Sequence, residues 1–328
     1  MLSNLSKLLF LSTLILGTLM TISSKSWMIM WIGLEINLLS FIPFINSKNP
    51  LESESSMKYF LVQVMASMMI MVTILITDML INNLTKVILL LSLFIKMGLP
   101  PFHLWFPSVM QGMLWYNCLL MMTWQKVAPM MMTSYLLTMN TFTSIMIMMS
   151  VMVGTIGGLN QTSVRKLMAY SSISHLGWML LTILMSTWYW IMYFIMYMLI
   201  NLAVLILLNM NSIYHVNQLY SMNMEYKYKF TLLLSVLSLG GLPPFLGFLP
   251  KWVVIQNALN LDCKMITMTL IMTTMITLYF YMRMAYSGFM LNNQMNQWIF
   301  ENKNKSMIYL SMIISLSSIP LISIFNIY

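Results

Sequence analysis

The sequence carries very little charge. Only 7% of its 328 residues are charged and 60% are hydrophobic, whereas a soluble domain has about 25% charged residues. Too few polar side chains remain to cover a surface that faces water, which excludes an ordinary soluble domain. The sixteen basic residues give a net charge of +9, but they are spread thinly between hydrophobic runs and form no basic stripe for nucleic acid. The composition therefore predicts an all-α polytopic membrane protein.

Cysteine and catalytic motifs are scarce as well. The only cysteines are Cys118 and Cys263, without a CxxC pattern or a nearby histidine pair, so neither a disulfide framework nor a metal site is indicated. The sequence has no glycine-rich phosphate loop, GxSxG or HExxH motif, so it does not indicate soluble enzyme chemistry in this chain. Methionine is abundant instead, with 42 residues, a bias that suits an organellar genome in which ATA also encodes methionine.

One motif occurs twice within long apolar stretches. Gly-Leu-Pro-Pro-Phe stands at residues 98–102 and again at 241–245, and each copy is followed at the same offset by a proline, Pro107 and Pro250. A double proline removes backbone donors and breaks a helix. In hydrocarbon such a break survives only where it is buried in protein or lines a wet cavity. Matching breaks in two halves are typical of internally repeated transporters.

The spacing of the apolar runs predicts how often the chain crosses the membrane, since one crossing takes about twenty residues. We predict eleven transmembrane helices, at residues 2–23, 27–45, 57–79, 86–112, 117–138, 143–159, 165–185, 188–209, 229–258, 264–289 and 306–327.

The doubled motif falls in the fourth and ninth of these helices. Five is an odd number, so two copies five helices apart cross the membrane in opposite directions. We therefore predict one transmembrane domain that contains an inverted five-helix repeat with two broken helices, with halves at about 1–138 and 143–289 and an extra helix at about 306–327.

Basic residues near the ends of the predicted helices and between them indicate the orientation of the chain, because the inner side of a membrane carries more of them. The side of the N-terminus holds nine: Lys7, Lys48, Lys58, Arg165, Lys166, Lys227, Lys229, Lys303 and Lys305. The opposite side holds three: Lys25, Lys86 and Lys264. This bias predicts that the N-terminus is inside and the C-terminus outside.

A few charged side chains are predicted to lie inside the membrane. Glu35, Lys96 and Lys126 are each near the middle of an apolar run, where a charged group costs about 2.5–3.5 kcal/mol on insertion scales and is by default functional. The alternative is a structural ion pair that locks two helices. Lys251 directly follows Pro250 and could also extend to the interface, and for Arg283, near the end of its helix, we favour such an extension.

Two histidines are candidate proton relays. His103 directly follows the first motif, and His175 lies in the middle of the seventh predicted helix, which corresponds in the repeat to the helix of Glu35. Histidine titrates near neutral pH and can pass protons, although a lone histidine is more often a packed, hydrogen-bonded residue. His215 lies in a connection and is assigned no role.

Four stretches carry a family resemblance. They are WIGLEINLLS at 31–40, GGLNQT at 157–162, RKLMAYSSI at 165–173 and LGGLPPFLGFLPKW at 239–252. They closely resemble the mitochondrially encoded subunit 2 family of NADH:ubiquinone oxidoreductase, respiratory complex I, in its insect form. These are antiporter-like membrane-arm subunits. Bacterial members have fourteen helices, and this chain is similar to the shortened animal form that lacks the first three.

The resemblance implies roles for the intramembrane charges. Glu35 matches the glutamate opposite the first broken helix, Lys96 the lysine of that helix, Lys126 the connecting lysine and Lys251 the lysine of the second broken helix. The four residues would form a row through which a proton crosses the membrane, with His103 and His175 as further relays. Sister subunits often carry glutamate where Lys251 stands, so their exit-side chemistry does not transfer.

The resemblance also implies the surroundings of the chain. We expect a multi-pass protein of the mitochondrial inner membrane, with its N-terminus on the matrix side and its C-terminus on the intermembrane-space side. Expected partners are other membrane-arm subunits, including neighbouring antiporter-like ones, and lipids such as cardiolipin. No cofactor is expected in this chain, since NADH, FMN, iron–sulfur clusters and ubiquinone would be bound by other subunits.

Two alternatives from other functional classes remain open. The chain could be a free-standing cation/proton antiporter, although it lacks the extra carboxylates that a metal cation would need. It could also be a structural scaffold that only completes a membrane arm.

Overall fold

A computed structural model describes residues 4–46, 49–77, 83–221, 226–260, 264–289 and 305–317. Within these ranges the chain forms fifteen α-helices, and the only extended pairing is one isolated bridge between Ser163 and His215. Seven of the described helices are by themselves long and apolar enough to cross a membrane. The predicted fold class, an all-α polytopic membrane protein, is confirmed.

The helices are α1 Asn4–Ser23, α2 Trp27–Ile45, α3 Pro50–Thr77, α4 Asn83–Met97, α5 Trp105–Gly112, α6 Trp115–Met122, α7 Trp124–Leu136, α8 Thr141–Leu159, α9 Val164–Met185, α10 Thr187–Met210, α11 Val216–Ser221, α12 Tyr226–Gly240, α13 Phe248–Asn260, α14 Lys264–Phe289 and α15 Lys305–Leu316.

Each of the eleven predicted spans contains one or two of these helices. The fourth span consists of α4 and α5, and the ninth consists of α12 and α13. Both copies of the motif therefore interrupt a helix, as predicted. The fifth span is also interrupted, between α6 and α7 at Thr123, which the sequence did not predict because neither glycine nor proline stands there. The eleventh is described only as α15, and its predicted remainder to residue 327 lies outside the described residues.

The third helix begins earlier than predicted, at Pro50 instead of residue 57. Its first turn is stabilised by Asn49, whose side-chain amide donates to the Glu52 carboxylate at 2.8 Å. Lys58 therefore lies well inside the helix and not at its start, and it pairs with Glu54 at 2.6 Å on an exposed face. Lys48, Lys303 and Cys263, on which predictions were also made, lie outside the described residues.

Backbone contacts divide the chain into two units, Met1–Thr143 and Ser144–Tyr328. The core of the first unit is made by apolar side chains of α2, α3, α4 and α7. It contains Met30, Leu34, Ile70, Ile74, Leu89, Leu93, Ala128 and Met132. Helix α1 packs closely on α2, because Gly17 and Gly33 lack side chains at the point of contact. The predicted inverted symmetry between two halves stays a prediction.

In the second unit, α9 is the central helix. In its most apolar stretch, 89% of the residues are buried. It packs closely on α8 through small residues: a Cβ at Gly154 would contact the Ser174 backbone, and one at Gly177 would contact Val151 and Ser150. Small residues of this kind let two membrane helices approach each other. The tight packing fixes the face of α9 that carries His175.

Candidate functional site

The first helix break is made by a glycine in the left-handed conformation. Gly98 has φ of +73°, its N–H donates to the Ile95 carbonyl at 3.1 Å, and Leu99 N–H donates to the Phe94 carbonyl at 3.0 Å. This pair of bonds is a Schellman motif, the common way to end a helix at glycine. The break therefore places Lys96 in the last turn of α4, where the negative end of the helix dipole favours a positive charge.

Side chains satisfy carbonyls that the break sets free. The indole N–H of Trp105, at the start of α5, donates to the Ile95 carbonyl at 3.1 Å. The side-chain amide of Gln63 on α3 donates to the Lys96 carbonyl at 3.2 Å. Because an unbonded carbonyl is costly in hydrocarbon, the Gln63 bond to the Lys96 carbonyl stabilises the interrupted helix inside a membrane. The Trp105 bond adds a second donor to the Ile95 carbonyl, which also accepts the Gly98 N–H.

Two lysines line one cavity in the first unit. Lys96 is 7% exposed and Lys126 is 2% exposed, and the cavity between their helices has a volume of about 20 Å³, which is room for about one water molecule. The Lys126 ammonium lies 5.2 Å from the centre of the Phe106 ring, a cation–π distance. The lining residues are Leu34, Asn37, Leu38, Tyr59, Gln63, Lys96, Met97, Trp105, Phe106, Met121, Gln125, Lys126 and Pro129.

Glu35 lies beside this cavity without lining it. Its side chain is partly exposed on α2, and among the described residues nothing lies within hydrogen-bond or ion-pair distance of its carboxylate. The alternative of a direct structural ion pair with Lys96 is therefore not realised in the described part of the chain. The carboxylate is still near enough for its charge to act on Lys96 and on the buried Tyr59.

His103 is not brought to the cavity either. It lies in the connection between α4 and α5, partly exposed, and its carbonyl accepts the Phe106 N–H at 3.0 Å. Its neighbours Phe102 and Leu104 are 42% and 71% exposed. The structure therefore places this histidine in the break, partly exposed, and not among the residues that line the cavity of the two lysines.

The second break ends α12 with another left-handed glycine and holds its lysine differently. Gly241 has φ of +82°, and its N–H donates to the Leu237 and Ser238 carbonyls at 3.2 and 3.1 Å. Lys251, in the first turn of α13, extends back across the break and donates to the Gly240 carbonyl at 2.9 Å. The 6% exposed lysine thus binds the free carbonyls at the end of the preceding helix, the negative end of its dipole.

Lys251 and His175 line a second cavity, within the second unit. Its volume is about 10 Å³, close to the least that holds one water molecule. His175 Nδ1 is hydrogen-bonded to the hydroxyl of Tyr193 at 2.9 Å, and the remaining wall is largely hydroxyl-bearing. The lining residues are Val151, Ser174, His175, Trp178, Lys251, Thr273, Thr274 and Thr277.

Arg283 bonds to the carbonyls of a neighbouring helix end, and its predicted extension to the interface stays a prediction. Its guanidinium donates to the Leu159 carbonyl at 2.7 Å and to the Gln161 carbonyl at 2.6 Å. These groups belong to the end of α8 and the connection after it, where helix carbonyls have no partner within the helix. Arg283 therefore fixes the segment that contains one of the family strings.

Sequence reasoning also missed the neutral polar residues of the two cavities. The cavity of Lys96 and Lys126 is also lined by Asn37, Tyr59, Gln63 and Gln125. In the second unit, the Tyr193 hydroxyl is hydrogen-bonded to His175. The available signal was an amide or hydroxyl within an otherwise apolar run. That signal is weak, because serine and threonine hydroxyls in these helices also bond to their own backbone, as Ser92 does.

Comparisons with known proteins agree with this architecture. The family model described as NADH:quinone oxidoreductase/Mrp antiporter, transmembrane, matches residues 24–83 and 76–277. NADH-ubiquinone oxidoreductase chain 2 of Anopheles gambiae is 48% identical over 96% of this chain and 95% of that protein. The chain of the same name from Locusta migratoria is 43% identical over 99% of this chain and 98% of that protein.

Solved structures share the fold. A chain of respiratory complex I from Thermus thermophilus, solved with bound aureothin, matches with a TM-score of 0.85 at 22% identity, over 98% of this chain and 78% of that one. A chain of the Mrp complex from Dietzia sp. DQ12-45-1b matches with a TM-score of 0.79 at 13% identity, over 95% and 74%.

Proposed function

The chain belongs to the NADH-ubiquinone oxidoreductase chain 2 family, and from this premise we propose that it moves protons across the membrane through Glu35, Lys96, Lys126 and Lys251. It is an antiporter-like membrane subunit of an enzyme complex, respiratory complex I. The observation that best supports our proposal is the cavity that Lys96 and Lys126 share, since it brings two buried ammonium groups to one wettable space.

The geometry of the first unit suits a lysine that takes up and releases a proton. Lys96 lies at the helix break and lines a cavity with room for about one water molecule. Its ammonium has no hydrogen-bond partner among the described residues. A carboxylate that approaches a lysine favours its charged form, and one that withdraws favours release of the proton. A movement of Glu35 relative to Lys96 would thereby switch the lysine, and Lys126 would receive the proton through the cavity.

In the second unit, Lys251 is the proposed station and His175 the proposed relay. Both line the same cavity, and imidazole can accept a proton on one nitrogen while it gives one from the other. His103 lies in the first break and does not line the cavity, so we assign it the least direct role.

The driving force would come from outside this chain. We propose that the chain holds no cofactor, that NADH, FMN, iron–sulfur clusters and ubiquinone are bound by other subunits, and that their chemistry reaches Glu35 through coupled helices or charges. Neighbouring antiporter-like subunits and lipids such as cardiolipin are the proposed contacts. The chain is a multi-span mitochondrial membrane protein, and we propose that its N-terminus faces the matrix and its C-terminus the intermembrane space, as the basic residues indicate.

Substitution of one lysine in the assembled enzyme tests the proposal. Lys96→Met removes the charge and keeps most of the apolar stem, so we expect protons translocated per NADH oxidised, or the turnover coupled to them, to fall by at least about tenfold, as for loss of a proton-transfer group. The matched control is Lys58→Met, at an exposed lysine that pairs only with Glu54 among the described residues. A proton ratio and turnover equal to those of the unsubstituted enzyme would remove Lys96 from the path.

Further measurements separate the two alternatives from this proposal. A free-standing antiporter would exchange cations for protons when the chain alone is placed in vesicles, and it would not copurify with complex I on a native gel. A scaffold would tolerate charge-neutral replacements at all four sites without loss of pumping, provided that the complex assembled.

A further inference from the structure

Gln125 occupies an unusual position, one residue before Lys126 in the first turn of α7. The helix has just been interrupted at Thr123, whose φ and ψ are −113° and −76°. In a continuous helix, the preceding turns would fix the direction in which residue 126 points. Here the backbone bends at Thr123 and the Lys126 N–H bonds to the Thr123 carbonyl at 3.1 Å, so side-chain contacts contribute to the direction of the first turn of α7.

The Gln125 side chain makes two such contacts. Its side-chain carbonyl oxygen accepts the Tyr59 hydroxyl at 3.3 Å, and its side-chain nitrogen donates to the side-chain oxygen Oδ1 of Asn37 at 3.2 Å. Tyr59 belongs to α3 and Asn37 to α2, and both are 2% exposed. The amide therefore ties the start of α7 to two other helices of the same unit. We call this arrangement of Tyr59, Gln125 and Asn37 the amide clamp.

The three clamp residues line the cavity and have a fixed hydrogen-bond polarity. The hydroxyl donates to one end of the Gln125 amide, and the other end donates to Asn37, so each group has a single consistent role. Neither an amide nor a tyrosine hydroxyl bonded in this way is a ready proton carrier at neutral pH. The proton must pass through the cavity, and the clamp acts on the geometry of the groups that line it.

We propose that Gln125 is a positioning residue for proton transfer, in that the amide clamp aims the Lys126 side chain into the cavity that Lys96 also lines. This inference rests on the proposed function of the two lysines. It assigns a role to Gln125, Tyr59 and Asn37 that charge alone does not suggest, and it explains why neutral hydrogen-bonding groups from three helices meet at the residue before a buried lysine.

Substitution by methionine tests the proposal, because Gln125→Met keeps the length of the side chain and removes both bonds. Small misplacement of a reacting group can cost about a hundredfold in rate, and we expect turnover of the assembled complex to fall by about tenfold to a hundredfold. The dependence of turnover on pH should also change shape. The matched control, Gln256→Met, alters an exposed glutamine on α13 and should match the unsubstituted enzyme in both respects.

A purely structural role predicts a different pattern. The amount of assembled complex on a native gel would fall, while the turnover of each assembled complex and its pH profile would stay unchanged; that result overturns the proposal. If Gln125→Met assembles poorly, Tyr59→Phe removes only one of the two bonds. It should give a smaller loss with the same change in pH profile, and an unchanged profile would contradict the clamp.

A double substitution tests whether Gln125 acts together with Asn37. If both belong to one clamp, Asn37→Leu combined with Gln125→Met should cost no more than the larger single effect, since residues in one hydrogen-bond network are not additive. Independent, multiplying losses would contradict the proposal. Lys96→Met separates the two hypotheses: no effect there refutes the proton path, whereas a large effect there with a normal Gln125→Met enzyme refutes only the clamp.

Discussion

The two helix breaks share their motif but not the way in which they hold a lysine. At the first break the lysine stands before the glycine, in the last turn of α4, and its ammonium has no hydrogen-bond partner among the described residues. At the second break the lysine stands after the motif, in α13, and bonds back to the Gly240 carbonyl. The same motif thus holds two ammonium groups in different ways. That of Lys96 faces a cavity, whereas that of Lys251 lines a cavity and also caps a helix.

The difference follows from the residues that meet each glycine. A Cβ on Gly98 would lie 3.0 Å from Phe106 Cβ, whereas a Cβ on Gly241 would lie 3.0 Å from Lys251 Nζ. The first break is therefore covered by an aromatic ring and the second by the lysine itself. The second break is also held by α15, whose Ser315 carbonyl accepts the Leu246 N–H at 3.2 Å. Similar breaks can thus be stabilised by different partners.

The largest expected effect comes from closing the space that the second break needs. Gly247→Ala would place a Cβ on the Ser238 carbonyl oxygen, a backbone atom that cannot give way without moving the end of α12. We expect little or no assembled complex on a native gel. Gly240→Ala is the matched control, because its Cβ would lie 3.5 Å from the nearest atom, an ordinary contact. Equal assembly of both variants would contradict the described packing at the second break.

The next effect compares the two lysines directly. Lys251→Met should lower both proton translocation and thermal stability, because it leaves the Gly240 carbonyl buried without a donor, at a cost of about 1–3 kcal/mol. Lys96→Met should lower translocation alone. Measuring both the thermal unfolding temperature and the proton translocation of each purified complex distinguishes these outcomes. If both variants lost the same stability, the contrast between the two breaks would be wrong.

A smaller effect is expected from the hydroxyl that binds His175. Tyr193→Phe removes one hydrogen bond worth about 1 kcal/mol, so we expect turnover to fall by about fivefold at unchanged assembly. Tyr189→Phe is the control, since its hydroxyl bonds to Asn257 at a longer 3.4 Å. Turnover of the Tyr193 variant equal to that of the control would show that the hydroxyl bond to His175 has no part in proton transfer.

Much of the fold could be predicted from apolar run length and from the double prolines. These two signals located the spans and the breaks at Gly98 and Gly241, because both act through the local backbone. The break at Thr123 could not be predicted in this way. There the Thr123 hydroxyl donates to the Leu119 carbonyl at 2.7 Å, and an apolar run that contains a single threonine gives no comparable signal.

The candidate site was predictable in its charged members and not in their partners. The cost of burying charge in a membrane singled out Lys96, Lys126 and Lys251. That Lys251 caps α12 and that Gln125 contacts Asn37 depends on how helices pack across long stretches of sequence. Residue type alone does not predict such contacts, since a glutamine on an exposed helix face would make none of them.

The most direct test of the account is proton translocation by the assembled complex with Lys126→Met, measured in sealed vesicles as protons moved per NADH oxidised and as coupled turnover. Lys126 is 2% exposed and lines the cavity with Lys96, so the account predicts normal assembly and a fall of at least about tenfold in coupled proton movement. A variant that assembles and pumps as the unsubstituted enzyme does would contradict it.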